Sequence, residues 1–171
     1  MSDIEVLIKE EDVRARIKEM ADTLSEEYKD KEVVLIGILT GSVFFLTELA
    51  QKMSIPVEID FMSASSYVGT DSTGKVLVTK DLERSVKGKH VIIVEDIVDT
   101  GQTLHLLCEL ISAKGPESLK IVTLLDKPER RKVCFDADYT GFKIPDEFVI
   151  GWGMDYDQKY RDLPYIGILK E

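Results

Sequence analysis

Residues 91–104 read Val91-Ile92-Ile93-Val94-Glu95-Asp96-Ile97-Val98-Asp99-Thr100-Gly101-Gln102-Thr103-Leu104. Four consecutive β-branched residues predict a strand buried on both faces, as in the middle of a parallel sheet. Two acids end the buried run, a third follows at Asp99, and a small-residue turn leads into an apolar helical pattern at Leu104, Leu107, Cys108 and Ile111. A turn that opens a helix leaves backbone N–H groups unpaired and adds the positive end of the helix dipole. Such a turn binds phosphate, and the hydroxyls of Thr100 and Thr103 add donors. A capping Asp and a capping Thr explain the Asp-Thr-Gly triplet taken alone. They do not explain two adjacent acids at the end of a buried strand. Carboxylates beside a phosphate cradle repel a bare anion unless they face a divalent cation or sugar hydroxyls. The stretch therefore asks for a ligand with a phosphate, a hydroxylated ring and bound Mg²⁺.

A chain of 171 residues with 44% apolar content is enough for one α/β domain spanning residues 1–171. No apolar run approaches membrane-spanning length, and Met1-Ser2-Asp3-Ile4-Glu5 has neither the charge nor the apolar core of a signal peptide. Cys108 and Cys134 are far apart and read as small buried hydrophobes. His90 and His105 are too few for a histidine metal centre and read as surface residues. A cytoplasmic, reduced protein is expected. The net charge of −10 argues against broad binding to nucleic acid or to an anionic membrane.

Upstream, residues Glu10 to Tyr28 carry apolar positions at helical spacing, a helix laid over one sheet face. Val33 to Leu39 is a second buried strand. It ends at Thr40-Gly41-Ser42, and a helix follows with Val43, Phe44, Leu46, Leu49, Ala50 and Met53 as its apolar side. This second strand–turn–helix unit is either a plain tight turn or another anion site. Pro56 to Phe61 alternates as a strand prolonged to Tyr67. Val68 to Lys75 is almost free of apolar anchors, and Val76-Leu77-Val78 returns as its partner strand. Ser118 to Leu125 is a further strand, followed by Asp126-Lys127-Pro128 and the basic run Arg130-Arg131-Lys132, which reads as a solvated turn. Composition makes Lys127 a surface lysine. However, ligands of open parallel sheets gather at the carboxyl ends of the strands, and Lys127 shares that end with Glu95, Asp99 and Thr40.

The 91–104 stretch resembles the phosphoribosyl pyrophosphate signature of the type I phosphoribosyltransferases: a hydrophobic run, two acids, two apolar residues, then Asp-Thr-Gly and Thr. Leu39-Thr40-Gly41-Ser42 is similar to the pyrophosphate loop of the purine branch, with Thr40 in place of a lysine. Gln102 also stands where many relatives carry lysine. The C-terminal part matches the hypoxanthine–guanine branch in order: Pro145-Asp146-Glu147-Phe148-Val149-Ile150-Gly151, then Asp155-Tyr156, then Tyr160-Arg161-Asp162-Leu163-Pro164. The likeness runs from Leu35 to Pro164. It implies the type I fold, a mostly parallel central sheet flanked by helices, with a hood formed mainly by the C-terminal segment and a lid loop at about 66–76 led by Ser66 and Tyr67.

What the resemblance implies for function is Mg²⁺-dependent transfer of the phosphoribosyl group from phosphoribosyl pyrophosphate to N9 of hypoxanthine, and of guanine, as in purine salvage. On that likeness Asp99 is the general base, and Glu95, Asp96, Thr100, Gly101, Gln102 and Thr103 hold the ribose and 5′-phosphate. Thr40, Gly41 and Arg161 hold pyrophosphate. Lys127, Phe148, Val149 and Asp155 line the purine side, and Glu95, Asp96 and Asp155 face the metal. In the family the peptide before the second loop residue can be cis, here Leu39–Thr40. An ammonium donor at Lys127 suits a 6-oxo group and offers nothing to a 6-amino group. The family's habit is a homodimer or homotetramer. The rival readings are a nucleic-acid-binding regulator on the same fold, an enzyme of this fold for adenine or a pyrimidine, and an α/β domain without chemistry.

Overall fold

The 91–98 run, buried on both faces over Val91–Val94, sits at the centre of a six-stranded sheet in the computed structural model, which describes residues 3–66 and 76–170. In chain order the elements are β1 (Ile4–Ile8), α1 (Glu10–Glu27), β2 (Val33–Ile38), α2 (Val43–Lys52), β3 (Val57–Ser66) and β4 (Val76–Lys80). They continue with β5 (His90–Val98), α3 (Gln102–Ser112), β6 (Ser118–Asp126), β7 (Tyr139–Lys143), β8 (Val149–Ile150) and β9 (Ile166–Leu169). The large sheet has the order β4-β3-β2-β5-β6-β7. Only β4 runs antiparallel, paired to β3; every other neighbour pair is parallel.

Alternating side chains of the central strands point to opposite faces, and each face is covered by helices. Leu35, Ile92 and Val94 pack with α1 and α2 through Val13, Ile17, Leu24, Phe45 and Leu46. Val34, Ile36, Val91 and Ile93 pack with α3 through Leu104, Leu107 and Ile111. α2 buries Phe45, Leu46 and Leu49, while Phe44, expected on its apolar side, stays exposed. Successive helical residues are about 100° apart, so Phe45 falls on the face that Leu46 and Leu49 occupy and Phe44 on the opposite one.

Chain direction reverses between β2 and β5. From β2 the chain moves outward to β3, and from β5 it moves the other way to β6. A crevice opens at the carboxyl ends on either side of such a reversal. Thr40–Ser42 leaves β2 there, and Glu95–Asp99 ends β5 there.

A second sheet, in the order β1-β9-β8, is antiparallel and stands over this crevice. Two of its strands are C-terminal, as expected. The third, β1, comes from the N-terminus: Ile4 pairs with Leu169 and Glu5 with Ile168. Val149, Trp152, Met154 and Ile166 of this hood belong to the same apolar core as α1 and α2, so the hood is packed onto the main body. No helix among the described residues is long and apolar enough to cross a membrane.

Two smaller expectations change. His90 is tucked in, its ring nitrogen bonded to Ser118 Oγ at 2.6 Å and its ring edge against Tyr28. Cys134 is exposed, whereas Cys108 is half-buried and desolvation pushes its thiol up to about 12.

Candidate active site

Two connected hollows occupy the crevice. The larger, of about 560 Å³, is lined by residues that include Asp96, Asp99, Lys127, Phe148, Val149 and Asp155. The smaller, of about 150 Å³, is lined by Glu95, Asp99, Thr100, Gly101 and Thr103 among others. Ile97 and Asp99 line both. Asp99 thus stands at the junction between a hollow with an aromatic wall and a hollow shaped by a helix start.

The smaller hollow has the local geometry of an anion site. Gly101 precedes α3 with φ +80°, a conformation that glycine adopts without the Cβ clash of other residues. The first bond of the helix is His105 N–H to Gly101 C=O at 2.9 Å, so the N–H groups of the first turn face outward without intrahelical partners. The turn is walled behind by Arg131, Val133 and Phe135, which all lie close to the place a Gly101 Cβ would take.

At the other loop, the Leu39–Thr40 peptide is cis, and Ser42, fully buried, precedes α2. A Cβ on Gly41 would collide with the Asp96 carboxylate, and one on Gly153 would collide with the Gly41 carbonyl. Strand-end acid, loop glycine and hood glycine are therefore stacked in direct contact. Gly153 also fixes Arg161: its carbonyl accepts from Nη1 at 2.6 Å, and Nη2 pairs with Asp155 at 3.3 Å. Through Gly153 the arginine and Asp155 are brought to the Thr40–Gly41 loop.

Glu95 and Asp96 are adjacent and poorly solvated. Asp96 N–H donates to Glu95 Oε1 at 3.0 Å, and Ile97 N–H to Asp96 Oδ1 at 2.7 Å. Desolvation holds both carboxyls above the usual range, and the neighbouring charge of Asp96 pushes Glu95 further. A pair that resists carrying two charges accepts them more readily with a cation between them. Among the described residues no three His, Cys, Asp or Glu side chains form a metal cluster. Glu95, Asp96 and Asp155 nevertheless carry hard oxygen donors of the kind that Mg²⁺ takes.

In the larger hollow, Lys127 is only 8% exposed. Its burial corrects the surface reading that composition suggests. Phe148 is 52% exposed and edge-on to Tyr156 at 5.7 Å, an apolar ring left open to the hollow. Gln102 is exposed at the start of α3. Of the expected lid at about 66–76, residues 67–75 lie outside the described residues. Ser66 and Val76 form the rung from which that segment leaves.

Sequence reasoning missed three charged residues. Arg130 Nε donates to Asp99 Oδ1 at 2.9 Å and Arg130 also faces Asp146; both line the larger hollow. Arg131, expected in a solvated turn, has a side chain only 11% exposed. The one available signal was that the basic run begins three residues after Lys127, at a strand's carboxyl end.

A model of the phosphoribosyl transferase domain matches residues 7–159. The chain belongs to the phosphoribosyltransferase family. It is 51% identical to the hypoxanthine-guanine phosphoribosyltransferase of Staphylococcus epidermidis over 166 residues, 96% of this chain and 93% of that one. It is 48% identical to the hypoxanthine phosphoribosyltransferase of Salmonella typhimurium, covering 96% and 94%. Among solved structures, the hypoxanthine phosphoribosyltransferase of Staphylococcus aureus superposes with a TM-score of 0.94 at 50% identity, over 97% of this chain and 91% of that one. A Bacillus anthracis hypoxanthine-guanine phosphoribosyltransferase, with a HEPES molecule in its active site, gives 0.91 at 45% identity over 99% and 100%. These phosphoribosyltransferases match the chain nearly end to end, hood and crevice included.

Proposed function

We propose that this chain is a purine-salvage enzyme that transfers the 5-phosphoribosyl group from phosphoribosyl pyrophosphate to N9 of hypoxanthine or guanine, giving the nucleotide and pyrophosphate. The observation that carries this reading is the position of Asp99, shared by the hollow that Lys127 and Phe148 line and the hollow that the Thr100–Thr103 turn lines.

The 5′-phosphate is held by the outward N–H groups of the α3 start and the hydroxyls of Thr100 and Thr103. Pyrophosphate lies between the Thr40–Gly41 loop and Arg161, whose guanidinium suits a diphosphate. Thr40 and Gln102 carry no charge, so backbone donors and Arg161 take a larger share of that binding. Phe148 stacks on the purine, and Lys127 donates to its 6-oxo group. Val149 forms the hollow's buried wall. Glu95, Asp96 and Asp155 would hold Mg²⁺, which neutralises the diphosphate when bound.

As N9 bonds to C1 of the ribose and the C1–O bond to pyrophosphate breaks, the purine must lose its proton from N7. Asp99 accepts it. Arg130 lies on that carboxylate in this structure, and both side chains are nearly half exposed, so an entering base displaces a contact of little energy.

The test is nucleotide formation from phosphoribosyl pyrophosphate and Mg²⁺ with hypoxanthine, guanine, xanthine and adenine in turn. Turnover of a 6-oxopurine with none of adenine is expected. Turnover of adenine alone, or of no base, overturns the reading and returns the chain to another base or to a regulatory role.

A further inference from the structure

β5 and β6 end side by side, with Val98 paired to Asp126. Beyond that rung they diverge. β5 enters the phosphate turn through Asp99, and β6 enters the purine side through Lys127. Both segments must hold their separation without a ladder between them.

Arg131 returns to the point of divergence and touches both. Its Nη1 donates to the Asp99 backbone carbonyl at 2.7 Å, and its Nη2 to Asp126 Oδ1 at 2.6 Å. The Asp126 and Arg131 side chains are 5% and 11% exposed. The backbone repeats the join: Lys127 N–H bonds Val98 C=O at 3.0 Å, and Lys132 N–H bonds Thr100 C=O at 3.0 Å. The aliphatic part of Arg131 lies against Gly101. A guanidinium reaches a carbonyl and a carboxylate at once with fixed spacing, whereas an ammonium is a single point. A buried ion pair is by itself weak ground for stability, because desolvation offsets most of the attraction. Its placement is more telling than its energy.

Resting on the function proposed above, we infer that Arg131 and Asp126 are positioning residues that brace the purine-reading lysine against the phosphate turn. Neither lines either hollow. Loosening the brace therefore misplaces both binding halves together.

The test is steady-state kinetics of R131K, D126N and the double variant with hypoxanthine and phosphoribosyl pyrophosphate, alongside circular dichroism and thermal unfolding. R131K keeps a charge beside Asp126, and D126N keeps its shape, so neither leaves a bare buried carboxylate. R131K loses one of the two bonds the guanidinium makes, and D126N leaves the guanidinium bonded to a neutral amide oxygen in place of a carboxylate, so KM for both substrates is expected to rise roughly tenfold and kcat to fall by a similar factor. The double variant is expected to be no worse than the worse single one, as for groups acting as a unit. Folded variants with wild-type KM for both substrates, or with only one KM changed, overturn the brace. Loss of cooperative unfolding in both single variants also overturns it, since the pair would then serve folding. A wild-type protein that turns over no base overturns the proposed function, and the brace falls with it.

Discussion

Glu95 and Asp96 sit at the end of β5 where few charges belong, and their carboxyls are held above the usual range chiefly by desolvation. The sign of the pH effect follows. An acid whose folded pKa is raised binds more protons folded than unfolded, so the stability is present below the unfolded pKa and lost as pH rises through the folded one. The pair's own contribution in the metal-free protein should therefore fall from about pH 4, the unfolded carboxylate range, towards neutrality, against the opposite slope from Glu27, Glu48 and Asp81, whose pKa values are lowered by their hydrogen-bond partners. In D96N one of the two charges is gone, while an amide oxygen still accepts from Ile97 N–H. The variant should unfold at higher temperature than wild type at pH 7, with the gap closing at low pH. Each kcal/mol corresponds to roughly 2–4 °C for a chain of this size. Thermal scans of both proteins without divalent cation check this, and an equal or lower midpoint for D96N at pH 7 would rule it out. Affinity for the Mg²⁺-loaded donor should fall in the same variant, so the two adjacent acids trade stability for binding.

The strand–turn–helix unit at 91–112 was legible because each part carries a local signal: a β-branched run, acids at its end, small residues at the turn and helical spacing beyond. The glycine in that unit has a definite task. At φ +80°, with Arg131 Cδ at 3.1 Å and Val133 Cγ2 at 3.2 Å from the place a Cβ would take, Gly101→Ala should cost about 1–3 kcal/mol. It should also raise KM for the phosphoribosyl donor more than for the purine, because the turn faces the smaller hollow. Unfolding midpoints and the two KM values test this; an unchanged midpoint would mean that the turn's shape does not depend on glycine. Elements without local signals were not legible. β1 and β9 pair across nearly the whole chain, Ile4 with Leu169, and a five-residue stretch at a terminus does not name a partner so far away. Arg131 was missed for a related reason. A charge inside a basic run looks solvated, and only the fold brings the Asp126 carboxylate and the Asp99 carbonyl to it.

The whole molecule divides the work between two halves. The sheet's carboxyl edge supplies the acids and the two loops at Thr40–Ser42 and Thr100–Thr103, and the hood supplies an aromatic ring, Asp155 and Arg161. They meet through Gly41, Gly153 and Asp96, packed without room for a side chain between them. Composition and strand pattern pointed to the first half, and motif order pointed to the second. Their joining depends on glycine contacts that no periodicity reveals. On this account both halves bind and Asp99, between them, moves the proton. The most direct measurement is therefore Asp99→Asn in single turnover with hypoxanthine, together with its equilibrium binding of phosphoribosyl pyrophosphate. Donor binding close to wild type with a rate roughly 10²–10⁴-fold lower is the predicted result, the usual range for one proton-transfer group. Nucleotide formation at the wild-type rate in the variant would contradict the account.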